Sequence, residues 1–476
     1  MTEGFHASGF GEANTSYWLD SIPQSLRGPF DCGDPDARCD IAIVGGGFSG
    51  LWTAYYLSEA DPTLSISIFE AQHVAHGATG RNGGWVLGLL THQGEMLAGH
   101  SDDVKAAARS QIAATVDEVG RVAGEHGIEC GFHKGGMLRI AARHPYQLAG
   151  LEKYKNQMLA ECGAGGFTEL DAGEAAREVA MRDVMGGAFF PHCAVVNPAA
   201  LALGLSRTLR ERGVRIFENA PVRETGAGFV KTDHGTCEAG HVVLATEGYS
   251  SSVPALENRI VSVYSHVIAT EPLSPERWRA VGLSNRQAFS DTSGSSTYGQ
   301  MTVDGRLVFG ALSDYPKGGI PGGVTPSRLR DQHQRVGKIL RDLFPQLEGV
   351  AIDRAWSGPL GMARGWAPMV AHEEGGRLTF LGGYGGRGVA ASNLFGRSAA
   401  ELIIGTGSFL TTAPWVRREK ALSDALGSWE GEPLRTIGAT MALSPGAMKD
   451  RIAMSKLPAA VQKAGMSLIS LIPPVR

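Results

Sequence analysis

Residues 39–60 read CDIAIVGGGFSGLWTAYYLSEA, and they leave few options for the fold. A β-branched apolar run is cut by three glycines and then becomes an apolar helix pattern. A second run, LSISIFEA at 64–71, follows at the distance a crossover helix requires. That is one βαβ unit, and a parallel pair of this kind needs a sheet covered on both faces. The turn itself, Gly45-Gly46-Gly47-Phe48-Ser49-Gly50, fits G-x-G-x-x-G. Gly45 lets the chain leave the strand sharply, Gly47 clears the helix N-terminus for a pyrophosphate, and Gly50 lets helix and strand pack closely. An acidic residue should then end the second strand and hold ribose hydroxyls, and Glu70 stands there, followed by Ala71. A glycine-rich surface loop explains the turn alone but not the strand, helix, second strand and Glu70 together.

A second glycine loop, AQHVAHGATGRNGGW, follows at 71–85. A domain that binds only NAD has no use for it, whereas FAD needs such a loop over its diphosphate and flavin. The chain holds 65 glycines, about twice the usual share of ~7%. They cluster without a strict repeat, which excludes collagen and suggests several close backbone approaches to a ligand.

The remaining chain gives the organisation. Helix patterns cover 103–125, 146–161 and 326–343, a helix, glycine stop and strand run over 198–222, a hairpin runs into a buried strand over 228–248, and short alternating runs at 262–315 read as an antiparallel sheet. Strand, glycine turn and long helix recur at 378–405. The expected architecture is α/β plus α+β: a discontinuous Rossmann-type FAD-binding domain with an inserted mixed antiparallel-sheet substrate domain. The expected boundaries are an irregular arm at 1–38, the FAD domain at 39–100, 190–260 and 351–410, the substrate domain at 101–189 and 261–350, and an extension at 411–476.

The net charge of −4, with no interleaving of basic and aromatic residues, excludes a nucleic-acid partner. Six cysteines are scattered without a CxxC pair, so reduced thiols in a cytoplasm are expected, and no metal site is read. The N-terminus lacks the apolar core of a signal peptide, and no run approaches the ~18 apolar residues of a spanning helix. The tail at 445–476 carries Lys449, Arg451, Lys456, Lys463 and Arg476 against Asp450 alone. Val461, Ala464, Leu468 and Ile472 share one helical face, widened by Ile469 and Leu471. Such an amphipathic helix can lie on the inner face of a membrane, or dock on its own protein or a second subunit.

In combination, Gly77-Ala78-Thr79-Gly80-Arg81-Asn82-Gly83-Gly84, SYWLDSIP at 16–23, AWSGPLG at 355–361 and GGYGGRGVAAS at 382–392 resemble the FAD-dependent D-amino acid oxidase superfamily, with glycine and sarcosine oxidases. The likeness is nearest to its γ-glutamylputrescine-oxidase-like branch and covers roughly 15–440. The resemblance implies that Arg81, Asn82, Gly83 and Gly84 lie on the flavin side, and that Val222 meets the adenine edge. It also implies that Ala245 and Gly248 line the pyrophosphate. Gly383, Gly385, Gly386, Arg387, Gly388 and Val389 would sit at the pyrimidine end of the flavin, where Arg387 adds positive charge or else pairs at a domain interface. No cysteine follows Cys237, and Arg81 stands where some relatives link FAD through histidine, so FAD is expected to be non-covalent. His73 and His76 are nearby but out of register. Gly358 and Gln300 stand where relatives carry arginines that clamp an α-carboxylate, with Arg364 close in sequence. An amine without an α-carboxylate is therefore the expected substrate. Trp85, His266, Tyr298 and Trp356 are the candidate pocket residues, each weighed against a plain core role.

The implied reaction is oxidation of a primary or secondary amine by hydride transfer to flavin N5. It gives an imine that hydrolyses to an aldehyde, with O2 as acceptor. Two alternatives stay open: a membrane-associated amine or amino-acid dehydrogenase passing electrons to a quinone, and a flavin-binding sensor without turnover.

Overall fold

A computed structural model of the chain describes residues 15–28, 37–316, 319, 324–440 and 452. The tail helix expected within 445–476 falls outside the described residues, apart from Ile452.

Five parallel strands form the centre of the first sheet, in the order Leu378–Gly382, Gly235–Leu244, Arg38–Val44, Ile66–Phe69 and Arg215–Phe217. Their register aligns Val44 with both Leu244 and Phe69, so three strands end level. Strands Met369–Glu373 and Val416–Glu419 extend one edge, and the hairpin Val222–Gly226/Phe229–Thr232 joins through Gly235–Leu244. Helix Phe48–Ala60 is apolar all round because it is covered on every side. It packs among helices Asp102–Glu125, Pro198–Glu211 and Gly388–Ile404, with Leu51, Trp52 and Phe395 fully buried. Each such side chain contributes ~1.5–3 kcal/mol. Gly396 allows the close crossing: a Cβ there would meet Trp52 Cβ at 2.8 Å.

The second sheet has eight strands, in the order Ile352–Ala363, Ile260–Thr270, Leu307–Asp314, Tyr298–Met301, Ala288–Asp291, Met137–Ala141, Gly186–Phe190 and Thr168–Leu170. It is antiparallel apart from the pair Ala288–Asp291/Met137–Ala141. Helix Pro326–Leu343 covers one face through Val336, Leu340 and Leu343. The expected combination of a parallel α/β sheet and a separate mixed, largely antiparallel sheet is the one observed.

The expected boundaries shift in three places. Residues 352–363 pair along the whole of Ile260–Thr270 and so belong to the second sheet. Helix Asp102–Glu125, set with the substrate domain in the sequence, buries Ile112, Val116 and Val119 in the core of the first. Val416–Glu419, set in the extension, is an edge strand of the first sheet. The arm is not irregular throughout. Ser16 caps a helical turn at Tyr17–Asp20, which buries Tyr17, Trp18 and Leu19. Aromatic burial outweighs the polar surroundings that suggested a loose segment.

Candidate cofactor and substrate cavities

Above the level ends of the parallel strands lies a cavity of about 360 Å3. Ligands of open α/β sheets bind at this position, beyond the carboxyl ends of the strands. Its wall includes Gly45, Gly47, Phe48, Ser49, Glu70, Ala71, Gly77, Ala78, Thr79, Val222, Ala245, Gly248 and Gly388. A second cavity of about 420 Å3 adjoins it and shares Ala78, Asn82, Leu360, Gly386 and Val389. Arg81, Gly83, Trp85, Tyr298, Gly358, Gly385 and Arg387 line this second space.

The turn is built as its glycines demand. Gly45 has φ +113°, and a Cβ there would strike the Ala245 carbonyl oxygen at 2.5 Å. Gly50 does not line the cavity; a Cβ there would meet Gly45 O at 2.1 Å, so its role is helix packing. Phe48 N–H, at the helix N-terminus, donates to Thr79 Oγ1 at 3.0 Å, which ties the two glycine loops together. Glu70 accepts from Gly46 N–H at 2.8 Å through Oε2 and from Gln72 N–H at 2.9 Å through Oε1. Burial nonetheless raises its pKa.

The loop at 77–84 is held from several directions. Asn82 folds onto it, donating to Ala78 O and Thr79 O and accepting from Gly84 N–H. Trp18 Nε1 donates to Asn82 O at 2.8 Å, and Trp356 Nε1 to Arg81 O at 2.9 Å. Gln300 Nε2 donates to Gly83 O at 2.6 Å and Val196 O at 3.2 Å, so this glutamine braces the loop. Gly84 lies behind the wall, where a Cβ would meet Gln300 Nε2 at 2.1 Å.

The candidate pocket residues divide. Trp85 and Tyr298 face the second cavity, with ring centroids 6.1 Å apart and Tyr298 Oη 2.8 Å from Ser265 Oγ. Burial pushes the Tyr298 phenol up to about 12. Trp356 and His266 line neither cavity. Trp356 is fully buried against the loop it supports. His266 points to the other side of its strand, with Nδ1 2.8 Å from Ser357 Oγ and Nε2 3.3 Å from Asp314 Oδ2. Strand alternation presents Ser265 to the cavity instead. Arg364 is also elsewhere, paired with Glu430 at 2.7 Å. Arg387 both lines the cavity and pairs: it donates to Leu90 O at 2.7 Å and lies 3.6 Å from Glu161 Oε2.

Several wall residues carried no sequence signal. Tyr384 Oη lies 2.7 Å from Ser49 Oγ and fastens the late glycine loop to the first. Glu247 accepts from Gly361 N–H at 3.1 Å and Gly383 N–H at 2.8 Å, and burial pushes its carboxyl up to about 7. Gly383 itself lines neither cavity and serves as that donor. Arg139 and Tyr154 line the second cavity from the other sheet and a helix. For Arg139 a hint existed: in GMLRIA a charge sits in an otherwise apolar alternating run.

The first cavity suits FAD. Gly45, Gly47 and the N-terminus of helix Phe48–Ala60 line it, and it continues into a space large enough for a ring system and substrate. Gly45, Gly47 and the amides of the Phe48–Ala60 N-terminus would hold the pyrophosphate. Glu70 would take the ribose and Val222 the adenine edge.

Comparison with known proteins agrees. γ-Glutamylputrescine oxidoreductase of Escherichia coli (strain K12) is 30% identical over 413 residues, 83% of this chain and 90% of that protein. Sarcosine oxidase subunit beta of Rhizobium meliloti (strain 1021) is 24% identical over 71% of this chain and 77% of its own length. Among solved structures, glycine oxidase from Geobacillus kaustophilus superposes with TM-score 0.67 at 20% identity, over 82% of this chain and 100% of that one. L-proline dehydrogenase from P. horikoshii gives TM-score 0.66 at 18% identity, over 80% and 98%. The family model for FAD dependent oxidoreductases, DAO, matches residues 40–402. With the loops, strand ends and adjoining cavities in place, the chain belongs to the DAO family of FAD-dependent oxidoreductases.

Proposed function

We propose that this protein oxidises the C–N bond of an amine to an imine, which water hydrolyses to an aldehyde, with O2 as the electron acceptor. The observation that carries this reading is the second cavity. It shares a wall with the cofactor cavity at Asn82, Gly386 and Val389 and is closed by Trp85, Tyr298 and Leu87. Bound FAD supplies the hydride acceptor. The chain's own residues orient the amine and exclude water. Among the described residues no Asp or Glu lines the second cavity, and Tyr298, up at about 12, stays a neutral phenol at working pH. The amine therefore enters neutral, having lost its proton to solvent. Arg81, Arg139 and Arg387 around the cavity disfavour an ammonium there and assist that loss.

Two relatives are named for amine substrates, γ-glutamylputrescine and sarcosine, which supports the substrate class. Cys39 Sγ and Cys237 Sγ, both buried, lie 3.6 Å apart, within hydrogen-bond reach of each other. Among the described residues no helix is long and apolar enough to cross a membrane. The test is an anaerobic panel of γ-glutamylputrescine, putrescine, sarcosine and glycine, read by flavin bleaching and then by admitting air. Bleaching by an amine and rapid return of colour in air is the expected result. Return only with a quinone would replace the oxidase reading by a dehydrogenase, and no bleaching by any amine would refute amine oxidation.

A further inference from the structure

The second cavity carries more cation than the flavin loops account for. Arg81 and Arg387 lie on those loops, but Arg139 lies on strand Met137–Ala141 of the other sheet. Alternation along that strand sends Leu138 and Ile140 into the second core and leaves Met137 and Arg139 on the cavity side. Arg139 donates through Nη1 to Ser290 Oγ and lies over the Tyr154 ring, 5.4 Å from its centroid. Its Nε is buried with no partner, and so is the Tyr154 hydroxyl beside it.

The nearby carboxylates are already engaged. Asp291 accepts from Arg143, Gln147, Ser293 and Thr297. Glu161 accepts from Gln157 and faces Arg387. Burial pulls the Arg139 pKa down, the mark of a cation without an adequate counter-charge. A buried guanidinium left with an unused donor is costly unless a ligand completes it.

We infer that Arg139, with the Tyr154 hydroxyl, receives a carboxylate carried by the substrate. The inference rests on the amine-oxidation reading and narrows it to amines that bear a carboxylate. The carboxylate is set apart from the carbon that is oxidised. Asn82, Gly386 and Val389 form the wall shared with the cofactor cavity, whereas Arg139 and Tyr154 line the second cavity alone.

The test uses the FAD-loaded enzyme and two ligands it cannot oxidise, glutarate and its neutral counterpart glutaramide. Binding is read from the flavin difference spectrum and by calorimetry. Glutarate should bind about 10- to 100-fold tighter than glutaramide. Arg139→Met should erase that preference and Arg139→Lys should keep part of it, with flavin content and near-UV circular dichroism unchanged as proof of folding. Equal affinity for the two ligands, or a preference in Arg139→Met within roughly twofold of the unaltered enzyme, overturns the inference. In turnover, 5-aminovalerate should exceed pentylamine in kcat/KM, and Arg139→Met should raise KM for 5-aminovalerate more than for pentylamine. If no amine bleaches the flavin while the glutarate preference holds and depends on Arg139, the anion site stands and the oxidation reading falls. If amines bleach it without such a preference, the reverse is true.

Discussion

Glu247→Gln isolates one buried carboxyl and its cost. Glu247 follows the long parallel strand Gly235–Leu244 in a left-handed conformation, φ 44°, and accepts from the amides of Gly361 and Gly383. It thereby joins a strand of the second sheet to the late glycine loop of the first. Burial outweighs these bonds and lifts its pKa from 4.5 to about 7. The folded-state value lies above the unfolded one, so its contribution to stability is fully present below about pH 4.5 and is lost as pH rises through 7. A span of about 2.5 pH units at ~1.36 kcal/mol each puts that loss near 3 kcal/mol. Glutamine cannot ionise. It turns an N–H towards one of the two amides, which costs about 1–3 kcal/mol, but that offset does not vary with pH. Urea denaturation of the FAD-free protein at pH 5 and pH 8 should therefore show the unaltered chain losing about 2.5 kcal/mol more than Glu247→Gln between the two. Subtracting the variant removes every other titrating group from the comparison. Parallel pH profiles for the two proteins would refute the argument and mean that the carboxyl ionises normally.

Gly47→Val should abolish FAD retention in a folded chain, checked by flavin absorbance after gel filtration. A Cβ at Gly47 already meets Thr79 Oγ1 at 3.0 Å, and the branch would fill pyrophosphate space. Arg387→Ala should lower the flavin reduction potential and slow reduction by substrate. Its Glu161 neighbour, 3.6 Å away, makes the effect smaller than a lone cation would give, and an unchanged potential would assign Arg387 to that pair alone. For an amine with pKa near 10, kcat/KM should climb about tenfold per pH unit below that pKa, because no carboxylate or histidine among the described residues lines the second cavity; an acidic limb at pH 5–6 would contradict that. Truncation after Ser444 tests the tail: if only the full chain floats with anionic liposomes at low salt, residues 445–476 bind membrane, and if neither floats they pack on protein.

Local chemistry was readable where one residue type is obligatory. Gly45 and Gly50 announce the turn because no Cβ fits, and Glu70 follows from the strand length. His266 and Trp356 were harder, because a polar or aromatic residue in a strand can face either side. Alternation along Ile260–Thr270 decides it, and nothing in YSHVIAT says which of the two faces meets the cavity. Arg139 and Tyr154 come from a strand and a helix that meet only after the second sheet closes, so sequence spacing cannot bring them together. The boundary near 351 was misplaced for a related reason. The pairing of Ile352–Ala363 with Ile260–Thr270 is a contact across about ninety residues, invisible to local periodicity.

The helical turn at Tyr17–Asp20 lies before residue 40, where the family match begins, yet it grips both halves of the protein. Tyr17 Oη donates to Asp304 Oδ1 at 2.6 Å, and Asp20 meets Arg354 at 3.2 Å, both on the side of the second sheet. Ser21 Oγ accepts from Asn197 at 3.0 Å, at the start of a helix of the first, while Trp18 reaches the Asn82 carbonyl. This segment works as a clasp. A hinge opening between the sheets would first have to pull an aromatic pair, Tyr17 and Trp18, out of the interior. A shortened protein cut at the family boundary would keep every cofactor-wall residue and still lose the part that keeps the two halves in register.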